Sequence, residues 1–270
     1  MKRQFSLAHL TVLGLTPAEM TYTAAKIGYD FVSFRILSVG TANEPQYCLF
    51  ENKEMLRETK TALKETGMKV LDIEMVRIYD GLDPKIYLPA FEVAAEIGAR
   101  HVLTTSVTPD RNFTIECFSE LCELAKPYGL TMDLEFLTWY NVSTLQEAVE
   151  VVEKAKADNC GILVDTLHFH RSRISLDELA QVPENYFHYA HICDAPKDIP
   201  TTTEGLIHTA REERLYLGEG GINVAEILSN MPNVPYSIEM PHSKRVKELG
   251  YEEFARRVLK TTKEYFEKHL

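Results

Sequence analysis

Three things are scarce in this 270-residue sequence: paired cysteines, long apolar runs and positive charge. The five cysteines, Cys48, Cys117, Cys122, Cys160 and Cys193, are odd in number and form no Cys-x-x-Cys pair. That speaks against a disulfide scaffold or a thiolate zinc knot and favours reduced thiols in a cytoplasmic setting. No apolar run approaches the ~20 residues needed to span a bilayer, and no secretory signal is evident. Neither a membrane partner nor export is therefore expected, and the acceptor-like Asn141-Val142-Ser143 is read as chance. A formal net charge of -11 argues against a nucleic-acid partner, because a phosphate-binding face has to be basic. No glycine-rich phosphate cradle of the P-loop kind occurs, which favours an unphosphorylated small molecule as substrate. No linker or low-complexity stretch divides the chain, so one domain over residues 1–270 is expected.

What the sequence has is an alternation. Short β-rich runs near Phe5–Leu10, Phe31–Ile36, Lys69–Met75, His101–Ser106, Leu130–Phe136, Gly161–Asp165, Phe187–Cys193 and Tyr236–Met240 are each followed by an amphipathic stretch. Strand–helix repeats predict parallel strands with crossover helices, and eight of them close a (β/α)8 TIM barrel. Helix starts are marked by Thr16-Pro17-Ala18-Glu19, Asp83-Pro84 and Ser143-Thr144-Leu145-Gln146-Glu147. Helix ends are marked by Gly28, Gly67, Gly98 and Gly129, each just ahead of a strand. The final helix carries Tyr251, Phe254, Ala255, Val258, Leu259, Thr262 and Phe266 on one face. One irregular segment, Ala195–Gly221, follows the seventh strand on the side where barrels build active sites.

The later strands end in residues that buried strands avoid. Glu135 interrupts Leu134-Glu135-Phe136, Asp165 ends Leu163-Val164-Asp165, His191 sits in Tyr189-Ala190-His191-Ile192, and Glu239 in Ser237-Ile238-Glu239-Met240. Any one alone reads as a helix cap, a salt-bridge partner or a hydrogen-bonded core residue. Three buried carboxylates and an imidazole at the same end of four strands are prohibitive unless a cation joins them. This oxygen-rich set suits Mn2+ first, with Mg2+, Co2+ or Zn2+ as alternatives. His9, Arg35, Glu74, Thr104, Thr105 and Ser106 on the earlier strands are candidates for gripping a polar substrate, and His168 lies just beyond Asp165. His170, Arg171 and Arg173 follow without an assigned role.

These segments resemble the xylose-isomerase-like TIM barrels, which include sugar phosphate isomerases and epimerases, ketose 3-epimerases, hydroxypyruvate isomerase and inosose dehydratase. The carriers are Leu134-Glu135-Phe136-Leu137-Thr138-Trp139, Val164-Asp165-Thr166-Leu167-His168, His191-Ile192-Cys193-Asp194-Ala195-Pro196, Leu217-Gly218-Glu219-Gly220-Gly221-Ile222-Asn223 and Ile238-Glu239. The resemblance implies that Glu135, Asp165, His191 and Glu239 ligate a divalent metal. It implies that Glu135 and Glu239 are also the acid/base pair, and that His168, with Glu74, contacts substrate. A loop arginine that grips the substrate could be Arg211 or Arg214, and the insert Lys197–Thr209 departs from the family pattern.

The implied reaction is isomerisation or epimerisation of a small sugar, sugar phosphate or hydroxy-keto acid through a metal-stabilised enediolate. A dehydratase of the inosose or dehydroshikimate type is the alternative. A non-catalytic sugar-binding barrel and an endonuclease of abasic DNA are weaker readings. Barrels of this kind often pair, so a homo-oligomer is one expected state.

Overall fold

In a computed structural model, which describes residues 3–38 and 44–270, the helix starts seen in the sequence are closed caps. Thr16 Oγ1 accepts from the Glu19 amide at 3.3 Å while the Glu19 carboxylate accepts from the Thr16 amide at 2.8 Å, with Pro17 opening the helix Pro17–Ile27. Thr144 and Glu147 form the same reciprocal box ahead of Leu145–Ala155. Each such cap contributes about 1 kcal/mol. At the other end, Gly28 and Gly67 take φ of 97° and 69°, the left-handed turn that stops the helix and redirects the chain into a strand.

Among the described residues the strands are β1 (Phe5–Ala8), β2 (Phe31–Arg35), β3 (Lys69–Ile78), β4 (His101–Ser106), β5 (Thr131–Glu135), β6 (Cys160–Asp165), β7 (Ala190–Ile192) and β8 (Tyr236–Ile238). They pair in parallel in chain order, and β8 returns to β1 to close the barrel. Apolar side chains separate into two layers. Phe34, Phe91, Phe118, Phe136 and Phe254 belong to the shell between strands and helices. Phe31, Leu71, Leu103, Leu163 and Tyr189 form a separate buried cluster. Alternation from Glu135, Asp165 and His191 puts this second cluster inside the barrel, beneath the polar residues. The last helix, Tyr251–His269, buries the face its periodicity marks, from Phe254 to Phe266. Truncating Phe254 to alanine there should cost about 3–5 kcal/mol.

Several boundaries differ from the sequence expectation. β1 stops at Ala8, and His9 opens a 3-10 turn, His9–Val12, rather than ending the strand. β3 runs on to Ile78, because Val76, Arg77 and Ile78 pair with Thr104, Thr105 and Ser106. β7 starts only at Ala190, since the chain ahead of it forms a 3-10 turn, Glu184–Tyr186, and His188 is drawn to Asp133 instead of a ladder. The segment expected to be irregular contains a helix, Thr203–Glu212, capped by Thr202. The stretch after Asp165, which carries His168, His170 and Arg171, forms a short helix, Thr166–Arg171.

Candidate active site

Glu135 and Asp165 close β5 and β6, His191 lies in β7 and Glu239 directly follows β8. Asp165 and His191 are partners in the β6–β7 register. One donor atom each from Glu135, Asp165 and His191 lies within 4.8 Å of the others. Glu239 lies beside this group, its Oε2 3.6 Å from His191 Nδ1, while Glu135 Oε1 is 3.9 Å from that nitrogen. All four side chains are buried. The four strand ends therefore do converge.

A guanidinium backs this group. Arg214, 2% exposed, donates from Nη1 to Asp165 Oδ2 at 2.6 Å and to the Glu239 carbonyl at 3.0 Å. Its Nη2 lies 2.8 Å from Glu239 Oε2, and its Nε donates to the Ala210 carbonyl. Asp165 Oδ1 accepts from the Leu167 amide at 2.7 Å, so this carboxylate also caps the helix behind it. The two glutamates are consequently unlike. Burial pushes Glu135 well above the ordinary carboxylate range, and the opposing pull of His191 is smaller. Burial acts the same way on Glu239, but Arg214 and His191 together outweigh it and hold Glu239 well below that range. For His191 burial favours the neutral ring, yet Glu239, Glu135 and Asp165 lift it to about 10.

Three observations test whether these residues fit a divalent cation. Glu135 Oε1 and both ring nitrogens of His191 are buried without a hydrogen-bond partner among the described residues, which is costly unless something binds them. Four carboxyls, from Glu74, Glu135, Asp165 and Glu239, gather around two guanidiniums, from Arg35 and Arg214, and Arg35 is shared with Glu44, so carboxyls outnumber guanidiniums here. The donors are carboxylate oxygens and one imidazole, a set taken by Mn2+, Zn2+ or Co2+. The residues fit.

A narrow cavity of about 50 Å³ opens onto the carboxyls, lined among others by Arg35, Met75, Glu135, Trp139, Tyr140, His168, Arg211, Arg214 and Glu239. A larger one, about 740 Å³, lies elsewhere between Arg3, Asp30, Tyr236, Lys263 and Leu270. It has no converging carboxylates or histidine, so chemistry outranks volume in choosing the site. His168 faces the small cavity with its ring kept neutral by burial, down to about 4, and Trp139 packs edge-on to it at 5.0 Å. Arg211 is on the cavity wall, whereas the contacts of Arg214 run to the carboxylates.

Arg35 spans Glu74 Oε2 and Glu44 Oε1, both at 3.1 Å, and is the member of that trio that lines the cavity. His9 is not brought to the cavity: Nδ1 accepts from the Arg35 amide at 3.0 Å and Nε2 donates to the Leu15 carbonyl at 2.8 Å. It ties β1 to β2. Ser106 bonds Thr114, and Arg171 bonds His170 and the Pro196 carbonyl.

One residue quoted in the sequence without a role turns out to organise the loop. The Asp194 carboxylate accepts from the amides of Ala195, Gly218, Gly220 and Ile222 at 2.8–3.0 Å. A Cβ on Gly220 would come 2.2 Å from the Ala195 carbonyl oxygen, so only glycine lets the chain wrap this closely. The Leu217–Asn223 segment is thus pinned to the end of β7, and Arg214 with it.

The chain matches the xylose isomerase-like TIM barrel family over residues 22–264. It belongs to that family. Inosose isomerase of Halalkalibacterium halodurans is 25% identical over 229 residues, covering 78% of this chain and 77% of that protein. The 3-dehydroshikimate dehydratase of Pseudomonas aeruginosa is 23% identical over 248 residues, 84% of this chain but 35% of that longer protein. Among solved structures, the IolI protein with a bound zinc atom aligns with a TM-score of 0.82 at 23% identity, over 99% of both chains. Family membership and barrel agree, and no helix among the described residues is long and apolar enough to cross a membrane.

Proposed function

We propose that this protein is a divalent-metal-dependent isomerase or epimerase of a small polyhydroxy ketone or aldehyde, with a cyclic inosose as the leading substrate. The observation that carries this reading is the convergence of Glu135, Asp165, His191 and Glu239, with orphaned donor atoms, at the mouth of the barrel. The similarity to inosose isomerase supports the substrate class. The 270-residue chain would work as one barrel unit. Zn2+ and Mn2+ are both accommodated by the donor set, and the zinc bound by the IolI protein favours testing Zn2+ beside Mn2+.

Glu135, Asp165, His191 and Glu239 would hold the metal, whose charge, when bound, would polarise a substrate carbonyl and acidify the adjacent C–H. The protein side chains do the rest. Glu239, fixed by Arg214, is positioned to take a carbon-bound proton. Glu135, whose Oε1 has no hydrogen-bond partner among the described residues, is positioned to return one. Their placement on separate strands, β5 and the end of β8, lets them address different faces of one substrate. His168 and Arg211 present donors to hydroxyl groups at the cavity wall, and Trp139 with Met75 excludes water. A ring-sized substrate needs more than 50 Å³, so these rim side chains move on binding. Trp139, the only tryptophan, should report that movement as a change in intrinsic fluorescence.

Incubation of the Zn2+- or Mn2+-loaded enzyme with inososes in D2O should give solvent deuterium at the carbon beside the carbonyl, together with an isomeric product. Chelation should abolish both. Loss of water with a new enone absorbance and no isomer would instead establish the dehydratase reading, which the similarity to 3-dehydroshikimate dehydratase favours as second choice.

A further inference from the structure

The chemistry above leaves one buried carboxyl unused. Asp72, in β3, has no measurable exposure, and neither of its oxygens has a hydrogen-bond partner of ordinary geometry among the described residues, although the Ser33 hydroxyl lies near enough to favour the charged carboxylate. Native proteins rarely leave such a group unpaired without a reason. The strand is also distorted around it. Between β2 and β3 the register steps from Val32↔Val70 to Phe34↔Ile73, so β3 carries one extra residue there. This bulge lets Leu71 join the inner apolar cluster while Asp72 keeps the inward phase of Glu74. Bulges next to active sites serve to re-aim side chains in this way.

His191 is within reach of Asp72. Donor atoms of Asp72, Glu74 and His191 lie within 4.8 Å of one another. The His191 nitrogen facing Glu135 and Glu239 is Nδ1, and its other nitrogen has no hydrogen-bond partner among the described residues either. Glu74 is engaged through Oε2 with Arg35, which leaves Asp72 as the carboxyl with both oxygens available. A histidine that binds a metal through one nitrogen donates its other N–H to a fixed acceptor, which sets the tautomer and the ring orientation.

We propose that Asp72 is a positioning residue that accepts the second ring N–H of His191, directly or through one bridging water, and turns the Nδ1 lone pair toward the metal. The inference rests on the metal-dependent reading given above. The carboxyl offers an acceptor oxygen in either protonation state, so the role does not depend on its charge.

The test is Zn2+ affinity of the full chain, measured by competition with a chromophoric chelator. It compares the wild type with Asp72→Asn, Asp72→Leu, Asp72→Ala, His191→Ala and the double variant His191→Ala/Asp72→Leu. Asparagine keeps an acceptor oxygen and should stay within about threefold of wild type, whereas leucine and alanine should weaken Zn2+ binding about 10- to 100-fold. Without His191, the Asp72→Leu change should cost no more than about a further twofold. The visible spectrum of the Co2+-loaded protein should shift in the leucine and alanine variants and not in asparagine. Alanine carries the same expectation as leucine if leucine does not fold. Wild-type affinity in both apolar variants would overturn the proposal. So would an equal loss in asparagine, which would indicate charge acting at a distance, or an undiminished loss without His191. If the wild type binds no Zn2+, or His191→Ala binds it as tightly as wild type, the metal-site reading itself fails instead.

Discussion

Among the described residues, two histidine–carboxylate clusters at opposite ends of the strands are built in opposite ways. Toward the amino ends, His188 Nδ1 donates to Asp133 Oδ1 at 2.6 Å, and Thr131 Oγ1 donates to Asp133 Oδ2 at 2.7 Å. That hydroxyl in turn accepts from His101 Nδ1 at 2.7 Å, and the two imidazoles stack at 5.5 Å. His101, Asp133 and His188 are spaced closely enough to hold an ion, yet no buried atom of theirs lacks a partner. At the carboxyl ends, Glu135 Oε1 and both nitrogens of His191 have none among the described residues. Spacing alone would nominate both groups. Satisfaction of hydrogen bonds separates them: the lower cluster is complete as it stands, and the upper one leaves donor atoms without a partner among the described residues.

That contrast can be broken in several ways. The largest effect belongs to turnover: Glu135→Gln or Glu239→Gln should each lower kcat about 10²- to 10⁴-fold in the isomerase assay. Substituting His101 should leave kcat nearly unchanged. Either glutamine variant working at the wild-type rate would remove the acid/base assignment. The next effect is on stability. Asp133→Ala strands His188 in a partly buried site and should cost about 3 kcal/mol in urea unfolding. Glu135→Leu in metal-free protein should be neutral or mildly stabilising, because it removes a buried carboxyl whose Oε1 has no hydrogen-bond partner among the described residues. If the two substitutions destabilise equally, the distinction between satisfied and unsatisfied clusters is wrong.

A smaller effect should appear as a pH dependence. Burial lowers His101 and His9 from 6.5 to about 4. The unfolded chain therefore takes up these protons first, and stability falls as pH drops from about 6.5 toward 4. Each site would account for on the order of 3 kcal/mol when the whole interval is crossed. His188 is shifted the other way: burial lowers it, but the hydrogen bond and charge of Asp133 outweigh that and raise it above 6.5. Its contribution is present below that pH and fades as pH rises through the raised value. Urea titrations between pH 4.5 and 8.5 should show the acid loss becoming shallower in His9→Gln. An unchanged slope would count against a neutral buried His9.

Much of this molecule was legible in advance where residues act through strong local rules. Capping threonines, glycines ahead of strands and the 3.6-residue face of the last helix all fold as their chemistry dictates. The four polar residues at strand ends converge because alternation in parallel strands leaves no other place for them. What stayed hidden depends on tertiary partners. His9 looked like a pocket residue, but the 3-10 turn after Ala8 turns it to the Leu15 carbonyl. Asp72 shares the phase of Glu74 and was in principle visible, but the bulge that lets Leu71 and Asp72 both face inward has no local signature. Asp194 stood in a recognised motif, yet its role needs the amides of Gly218, Gly220 and Ile222, more than twenty residues away. The arginines could not be ranked from sequence, because only the fold shows Arg214 buried against Asp165 and Glu239.

The most direct test of the central claim is metal content by elemental analysis after equilibration with Zn2+ or Mn2+ and gel filtration. The measurement compares wild type, His191→Ala and His188→Ala. The wild type and His188→Ala should each retain close to one equivalent per chain, and His191→Ala should retain little. Retention in His191→Ala with loss in His188→Ala would place the ion at the other end of the barrel and contradict the account.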